Sequence, residues 1–264
     1  MRQFKAPRLN EEIMPAIKLE QILEEAEAYQ QSLPPMPFEP TLPEGAEIAR
    51  FIDHTLLKPE ATAGQIMALC TEAKTHGFAS VCVNPGYVPL AAGLLKGTDT
   101  KICAVVSFPL GAHLPNQKAE ETRSVIQAGA DEVDMVMNIG AMKGEAYVLV
   151  WKDIQAVCET AHEQGAIVKV ILETALLSRE EIILAALIAK YGGADFVKTS
   201  TGFASAGATT ENVELMRRVV GADVGVKAAG GIRTLETARA MIAAGATRIG
   251  ASAGVNILNE AMES

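Results

Sequence analysis

Cysteine is sparse in this chain. Cys70, Cys82, Cys103 and Cys158 are its four, with no Cys-x-x-Cys pair and no Cys/His ligand spacing. Such thiols are expected to be reduced and mostly buried rather than part of a disulfide framework or a zinc centre, which suits the cytoplasm. Positive charge is also short: 23 Lys and Arg face 32 Asp and Glu, a formal net charge of −9. An acidic surface gains no counterion release from a polyanion, so neither nucleic acid nor an anionic membrane is an expected partner, and any anionic ligand must be small and locally held. No apolar run approaches the roughly 18 residues that span a bilayer, and the opening MRQFKAPRLNEE lacks the apolar centre of a signal peptide. Aromatics make up 5% of the chain, yet 49% of residues are hydrophobic, with Ala, Val and Ile abundant. That is the composition of parallel strands buried on both faces by helices.

Proline, by contrast, is concentrated. Five of the 12 prolines fall within LPPMPFEPTLPEG, a density that denies both helix and sheet ladder, so residues 33–45 read as an extended linker. Two parts follow: residues 1–45, a helix at about 11–31 plus the linker, and residues 46–264. The helix carries Ile13, Ile17, Ile22 and Leu23, which could pack on the outside of the larger part or on another subunit.

From Ala46 onward, short β-branched runs alternate with amphipathic stretches, as in parallel strands joined by crossover helices. Strands are expected at 48–52, 79–83, 102–108, 132–138, 167–173, 196–200, 224–228 and 248–250. Helices are expected between them, for example at 63–75, 117–128, 145–163, 179–191, 210–219 and 235–244. Ser178 with Glu181 makes a capping box, while Gly165 and Gly245 stand at helix ends. Eight such units predict a (β/α)₈ TIM barrel, a fold that commonly occupies about 250 residues as one domain.

A repeated phrase supports that count. Val168-Lys169, Val197-Lys198 and Val226-Lys227 each lie in an expected strand at equal intervals, close to the roughly 30 residues of one βα unit. The three lysines are therefore expected at comparable heights on adjacent strands. Burial disfavours an ammonium ion, and a second cation nearby disfavours it further, so Lys198 beside Lys227 reads as an amine freed to attack a carbonyl. Asp134, Asp53 and Glu173 are the carboxylates available for proton transfer. Asp134 should share a strand face with Val136 and Asn138 in the barrel mouth. Thr201-Gly202, Gly230-Gly231 and Gly250-Ala251-Ser252 follow the last three strands, where barrels commonly hold phosphate on free backbone N–H groups and a helix N-terminus. His54, His76, His113 and His162 show no metal-ligand spacing with carboxylates, so neither a metal nor a cofactor is expected. No Ser-His-Asp arrangement and no Gly-x-Gly-x-x-Gly after a first strand is evident.

The motifs VKTSTGF around Lys198, GVKAAGGIRT around Lys227, EVDMVMNIG around Asp134, IDHTLLKP around Asp53 and VCVNP around Cys82 together resemble deoxyribose-phosphate aldolase. They occur in order across residues 46–264. The resemblance implies a class I aldolase, a lyase that reversibly cleaves 2-deoxy-D-ribose 5-phosphate to D-glyceraldehyde 3-phosphate and acetaldehyde in deoxynucleoside catabolism. It implies Lys198 as the Schiff-base lysine, with Asp134 and Lys227 as proton donor and acceptor. Asp53, Thr201, Gly202, Gly230, Gly231, Gly250 and Ser252 would contact the substrate. Two positions depart from the pattern of some members: Phe203 stands in place of a lysine and Ala253 in place of a second serine, so backbone rather than charge is expected to hold the phosphate. The segment 1–45 has no counterpart in shorter members.

Small phosphorylated sugars and aldehydes are the expected partners, together with further copies of the chain in a homo-oligomer. Three rivals stay open at this level. A Schiff-base aldolase for keto acids would need an arginine for the carboxylate, and neither Arg233 nor Arg248 is expected to aim inward. A phosphate-binding isomerase would need a carboxylate base but no amine. A non-catalytic barrel would need neither.

Overall fold

The computed structural model of the protein describes residues 9–264, with side chains from Leu19 onward. The opening MRQFKAPR and the side chains of Ile13 and Ile17 lie outside the described residues. Eight parallel strands close into a barrel in chain order: β1 (Ile52–Leu56), β2 (Ser80–Val83), β3 (Lys101–Val106), β4 (Glu132–Val136), β5 (Ile167–Ile171), β6 (Phe196–Lys198), β7 (Gly225–Ala229) and β8 (Arg248–Ala251). Around and between them run α1 (Leu9–Gln31), α2 (Ala63–His76), α3 (Val88–Leu95), α4 (Pro115–Gln127), α5 (Ile139–Lys143), α6 (Tyr147–His162), α7 (Arg179–Tyr191), α8 (Thr210–Val220), α9 (Leu235–Ala243) and α10 (Gly254–Glu263).

Outward-facing strand residues such as Val81, Val133, Val168, Val197, Val226 and Ile249 are fully buried beneath the helices, each such side chain contributing about 1.5–3 kcal/mol. Helix starts follow local chemistry. The Ser178 hydroxyl accepts from Glu181 N–H at 3.2 Å while the Glu181 carboxylate accepts from Ser178 N–H at 2.7 Å, the expected capping box. Thr62 and Gln65 form the same box at the start of α2.

Several expected boundaries move, and the strands expected at 102–108, 132–138, 167–173 and 196–200 each end two residues early. Residues 48–51 belong to a 3-10 turn, Gly45–Phe51, and β1 begins at Ile52. Ile48 and Ala49 are the buried residues of that turn, and Ile52, also fully buried, opens the strand. The helix expected at 145–163 starts at Tyr147, because Glu145 adopts φ 58°, and the short α5 precedes it.

The described part of the N-terminal extension packs on the outside of its own barrel. Ile22 and Ala26 join the core, and Tyr191 Oη donates to Glu25 at 2.7 Å. After α1, Arg218 Nε donates to Pro34 C=O at 2.7 Å, and the Phe38 ring lies 5.0 Å from the Arg217 guanidinium. The one tryptophan of the chain, Trp151, is buried on α6, its indole N–H donating to Gln155 at 2.9 Å.

Candidate active site

Strand alternation that buries valines outward turns a different set of residues into the barrel lumen. Besides an apolar group of Leu57, Cys82, Cys103 and Val105, seven charged residues from six strands meet there: Asp53, Glu132, Asp134, Lys169, Lys198, Lys227 and Arg248. Asp134 is the hub. Its Oδ2 accepts from Lys198 Nζ and from Lys227 Nζ, each at 2.7 Å, and its Oδ1 accepts from Lys169 Nζ at 2.9 Å and from the Cys103 thiol at 3.0 Å. Lys169 also meets Glu132 at 2.6 Å, Lys227 meets Asp53 at 2.6 Å, and Arg248 bridges Asp53 and Glu132.

These contacts set the protonation states. Burial alone would push the Asp134 carboxyl up, but Lys169, Lys198 and Lys227 outweigh it and hold the group well below the usual carboxylate range. Asp53 is likewise held low, with Lys227 and Arg248 overcoming burial. Burial works against the Lys227 ammonium, yet Asp134 and Asp53 prevail and raise its pKa, and Lys169 is raised well above the ordinary lysine value for the same reason. The expectation of mutually repelling lysines depressed by burial is therefore corrected for Lys227: a carboxylate lies between it and Lys198, and sequence spacing could not show that.

The equal spacing of the three lysines misleads in another respect. Lys198 pairs in register with Lys227, but Lys169 pairs with Phe196, and the partner of Lys198 on β5 is Ile171. Lys169 thus sits one layer lower, because strand stagger in a closed barrel offsets equal chain intervals.

Above this cluster opens a cavity of about 430 Å³, lined by Lys198, Thr201, Gly202, Phe203, Gly230, Gly231, Gly250 and Ser252 among others. Most of the expected substrate contacts are thus assembled. Gly231 has φ 82° with open space where a Cβ would stand, and a Cβ on Gly250 would come within 3.2 Å of the Lys227 stem. Ser252, which lines this wall, lies two residues before α10.

Other expected members stand elsewhere. Asp53 is fully buried and does not line the cavity; it anchors Lys227 and Arg248 from beneath. Asn138 does not join Asp134: β4 ends at Val136, and the Asn138 side chain caps α5 by accepting from Ala141 N–H at 2.9 Å. Glu173, at φ 56°, accepts from Thr201 N–H at 3.2 Å and from its hydroxyl, so it shapes the loop after β6. His54 packs at a tilt against Phe78, with centroids 5.1 Å apart, and meets Glu72 at 2.6 Å, a packing arrangement.

Both arginines set aside above turn out to matter. Arg248 does aim inward, into Asp53 and Glu132, while Arg233 lines the cavity beside Lys58. Lys58 of LLKP, visible in its motif, is a cation of the cavity that the sequence did not single out. Cys82, Cys103 and Asp134 also bring three potential metal-ligand atoms within 4.8 Å of one another. Sequence spacing could not reveal this, since the residues come from three strands, and both oxygens of Asp134 already accept from lysines.

A buried carboxylate joining two lysines beneath a glycine-lined mouth is a site for carbonyl chemistry. Comparison with known proteins agrees: the profile of DeoC/LacD family aldolases matches residues 48–260. The chain belongs to that family. Deoxyribose-phosphate aldolase of Halalkalibacterium halodurans is 61% identical over 213 residues, 80% of this chain and 95% of that protein. The enzyme of the same name from Streptococcus sanguinis is 57% identical over 212 residues, covering 80% and 96%. Among solved structures, deoxyribose phosphate aldolase from Aeropyrum pernix, described as tetrameric, matches with TM-score 0.75 at 32% identity over 91% of this chain and 96% of that one. The match to the family's profile begins at residue 48, so α1 and the linker of this DeoC/LacD family aldolase lie outside it.

Proposed function

We propose that this aldolase cleaves 2-deoxy-D-ribose 5-phosphate through a Schiff base on Lys198. The observation that carries the reading is the shared carboxylate: Asp134 Oδ2 stands 2.7 Å from both Lys198 and Lys227, and of the two lysines only Lys198 lines the cavity. The interior cluster holds four cationic side chains against three carboxylates.

Lys198 Nζ adds to the C1 aldehyde, and Asp134 and Lys227 move the protons that turn the carbinolamine into an iminium with loss of water. The iminium draws in the electrons of the C2–C3 bond as the C3 hydroxyl loses its proton. D-Glyceraldehyde 3-phosphate leaves. The enamine that stays on Lys198 is then protonated at carbon and hydrolysed to acetaldehyde. Gly231, Ser252 and the start of α10 would hold the phosphate by backbone, with Lys58 and Arg233 adding charge. High identity to enzymes named for this activity supports the substrate. The A. pernix structure supports a homo-oligomer, and four free thiols suit a reducing compartment, the cytoplasm.

The test is borohydride reduction in the presence of acetaldehyde followed by peptide mapping. An ethyl adduct on Lys198, absent from Lys198→Ala, is expected. An adduct on Lys227 would reverse the assignment, and one on Lys169 would move it to the lower layer.

A further inference from the structure

Outside the catalytic cluster lies a further fully buried ion pair, Lys118 of α4 with Asp153 of α6, whose Nζ and Oδ2 stand 2.6 Å apart. Neither side chain lines the catalytic cavity. Both are engaged instead with one stretch of backbone, the end of the strand that presents Asp134: Lys118 Nζ donates to Val136 C=O at 2.7 Å, and Asp153 Oδ2 accepts from Asn138 N–H at 3.1 Å. The ladder explains why. β3 accompanies β4 only as far as the pair Val106 with Met135, while β4 runs on to Val136 against β5. After Val106 the chain turns aside at Ser107, with φ 50°. A parallel neighbour would have donated an N–H to the carbonyl before Met137 and accepted the N–H after it. The ammonium and the carboxylate make those two bonds in its place. On the other edge Met137 N–H donates to Ile171 C=O at 3.2 Å, and Gly111 lies so close that a Cβ there would stand 2.0 Å from Met137 C=O. Stability alone is a poor reason for such a pair. Burial pushes the Lys118 pKa down and that of Asp153 up, each against the pull of its partner. Apolar side chains in place of a buried ion pair are often neutral or stabilising, but they cannot bond to a strand end.

We propose that Lys118 and Asp153 are positioning residues for the reaction, a side-chain rung that fixes the end of β4 and so holds Asp134 Oδ2 between Lys198 and Lys227. The proposal rests on the reading of Asp134 as the group that moves protons. Asp134 lies two residues before Val136, so a tilt or slip of the strand end passes to a carboxylate that must meet two amines at 2.7 Å. A misplacement of about 1 Å can cost about 10²-fold in rate. The glycine loops of the substrate cavity follow β6, β7 and β8, so binding of the sugar phosphate does not depend on the rung.

The experiment compares three variants by cleavage of 2-deoxyribose 5-phosphate, measured well below each Tm. Lys118→Met/Asp153→Leu removes both bonds to β4 without leaving a buried charge unpaired, Lys118→Met/Asp153→Asn keeps an acceptor for Asn138 N–H, and Ile154→Ala loosens α6 with the pair whole. The first should lose kcat by about 10- to 100-fold with KM within about twofold. A smaller loss is expected of the second, and near wild-type kcat of Ile154→Ala. On an Asp134→Asn background the first pair of substitutions should cost no further kcat, because its effect passes through Asp134. Wild-type kcat in Lys118→Met/Asp153→Leu would overturn the proposal, as would a loss carried by KM or one that recurs in full on the Asp134→Asn background. If that variant does not fold, hydrogen exchange of the wild type decides: Asn138 N–H should exchange as slowly as the amides of β4, and rapid exchange would remove the rung. Wild-type turnover in Asp134→Asn alone would instead strike the reading of Asp134 on which the rung depends.

Discussion

Asp134 accepts from three lysines at once, so each substitution in the cluster removes a different part of its function. Asp134→Asn leaves three buried cations sharing a neutral amide. Breaking such pairing typically costs about 3–5 kcal/mol, and on the proposed mechanism the loss of a general acid and base should lower turnover by about 10²- to 10⁴-fold. Denaturant titration and steady-state kinetics read the two losses separately; wild-type turnover in Asp134→Asn would show that the proton passes elsewhere. Lys227→Leu removes one competitor for Oδ2 and leaves it to Lys198. The adduct with acetaldehyde should still form, but slowly and only at more alkaline pH, with turnover lost. An unchanged pH profile for adduct formation would mean that Lys227 acts only in packing. The low-lying Asp53 and Glu132 could not be ranked from sequence, because their positions depend on which strand faces which, and at what stagger.

At the scale of elements, the loops after β6, β7 and β8 form a wall on which glycine has separable uses. Gly231 faces open space at φ 82°, where a side chain would be strained and, on the proposed reading, would crowd the phosphate. Gly231→Val should weaken 2-deoxyribose 5-phosphate by at least about tenfold relative to unphosphorylated deoxyribose; equal losses on both sugars would make the loop purely structural. Much of this level was legible in the chain. Alternating β-branched runs located the strands, and Ser178 with Glu181 located a helix start. Where reading failed, tertiary context had overridden local pattern: residues 48–51 read as strand but form the 3-10 turn that precedes β1. Asn138 read as part of the strand that presents Asp134 but caps α5 instead. Lys58 and Arg233 lie in motifs that were visible, yet only the closed barrel brings them to one cavity.

For the whole molecule, the ion cluster and the N-terminal extension give two further expectations. Asp134 and Asp53 are held low, so their contribution to stability is complete above the ordinary carboxylate pKa of about 4 and is lost only as pH falls through their lower folded values. Lys227 and Lys169 are raised, so theirs is complete below about 10.4 and fades only as pH rises through the folded values. This cluster should therefore add no slope to thermal stability between about pH 5 and 9. A Tm difference between wild type and Asp134→Asn that varies steeply inside that interval would contradict the assignment. Removing residues 1–40 takes away α1 and the Arg218 contacts to the linker, uncovering the outer face of α7 but no residue of the cavity. A folded barrel with intact adduct chemistry and a lower Tm is expected, and a folded but adduct-deficient product would place the extension in the site.

Trp151 offers the means to follow both experiments. One indole in the entire chain, sunk in α6, makes the intrinsic emission a single-site reporter. Its spectrum should stay blue-shifted and indifferent to substrate while the fold holds. It should shift to the red, in one step, when the helical layer parts from the strands.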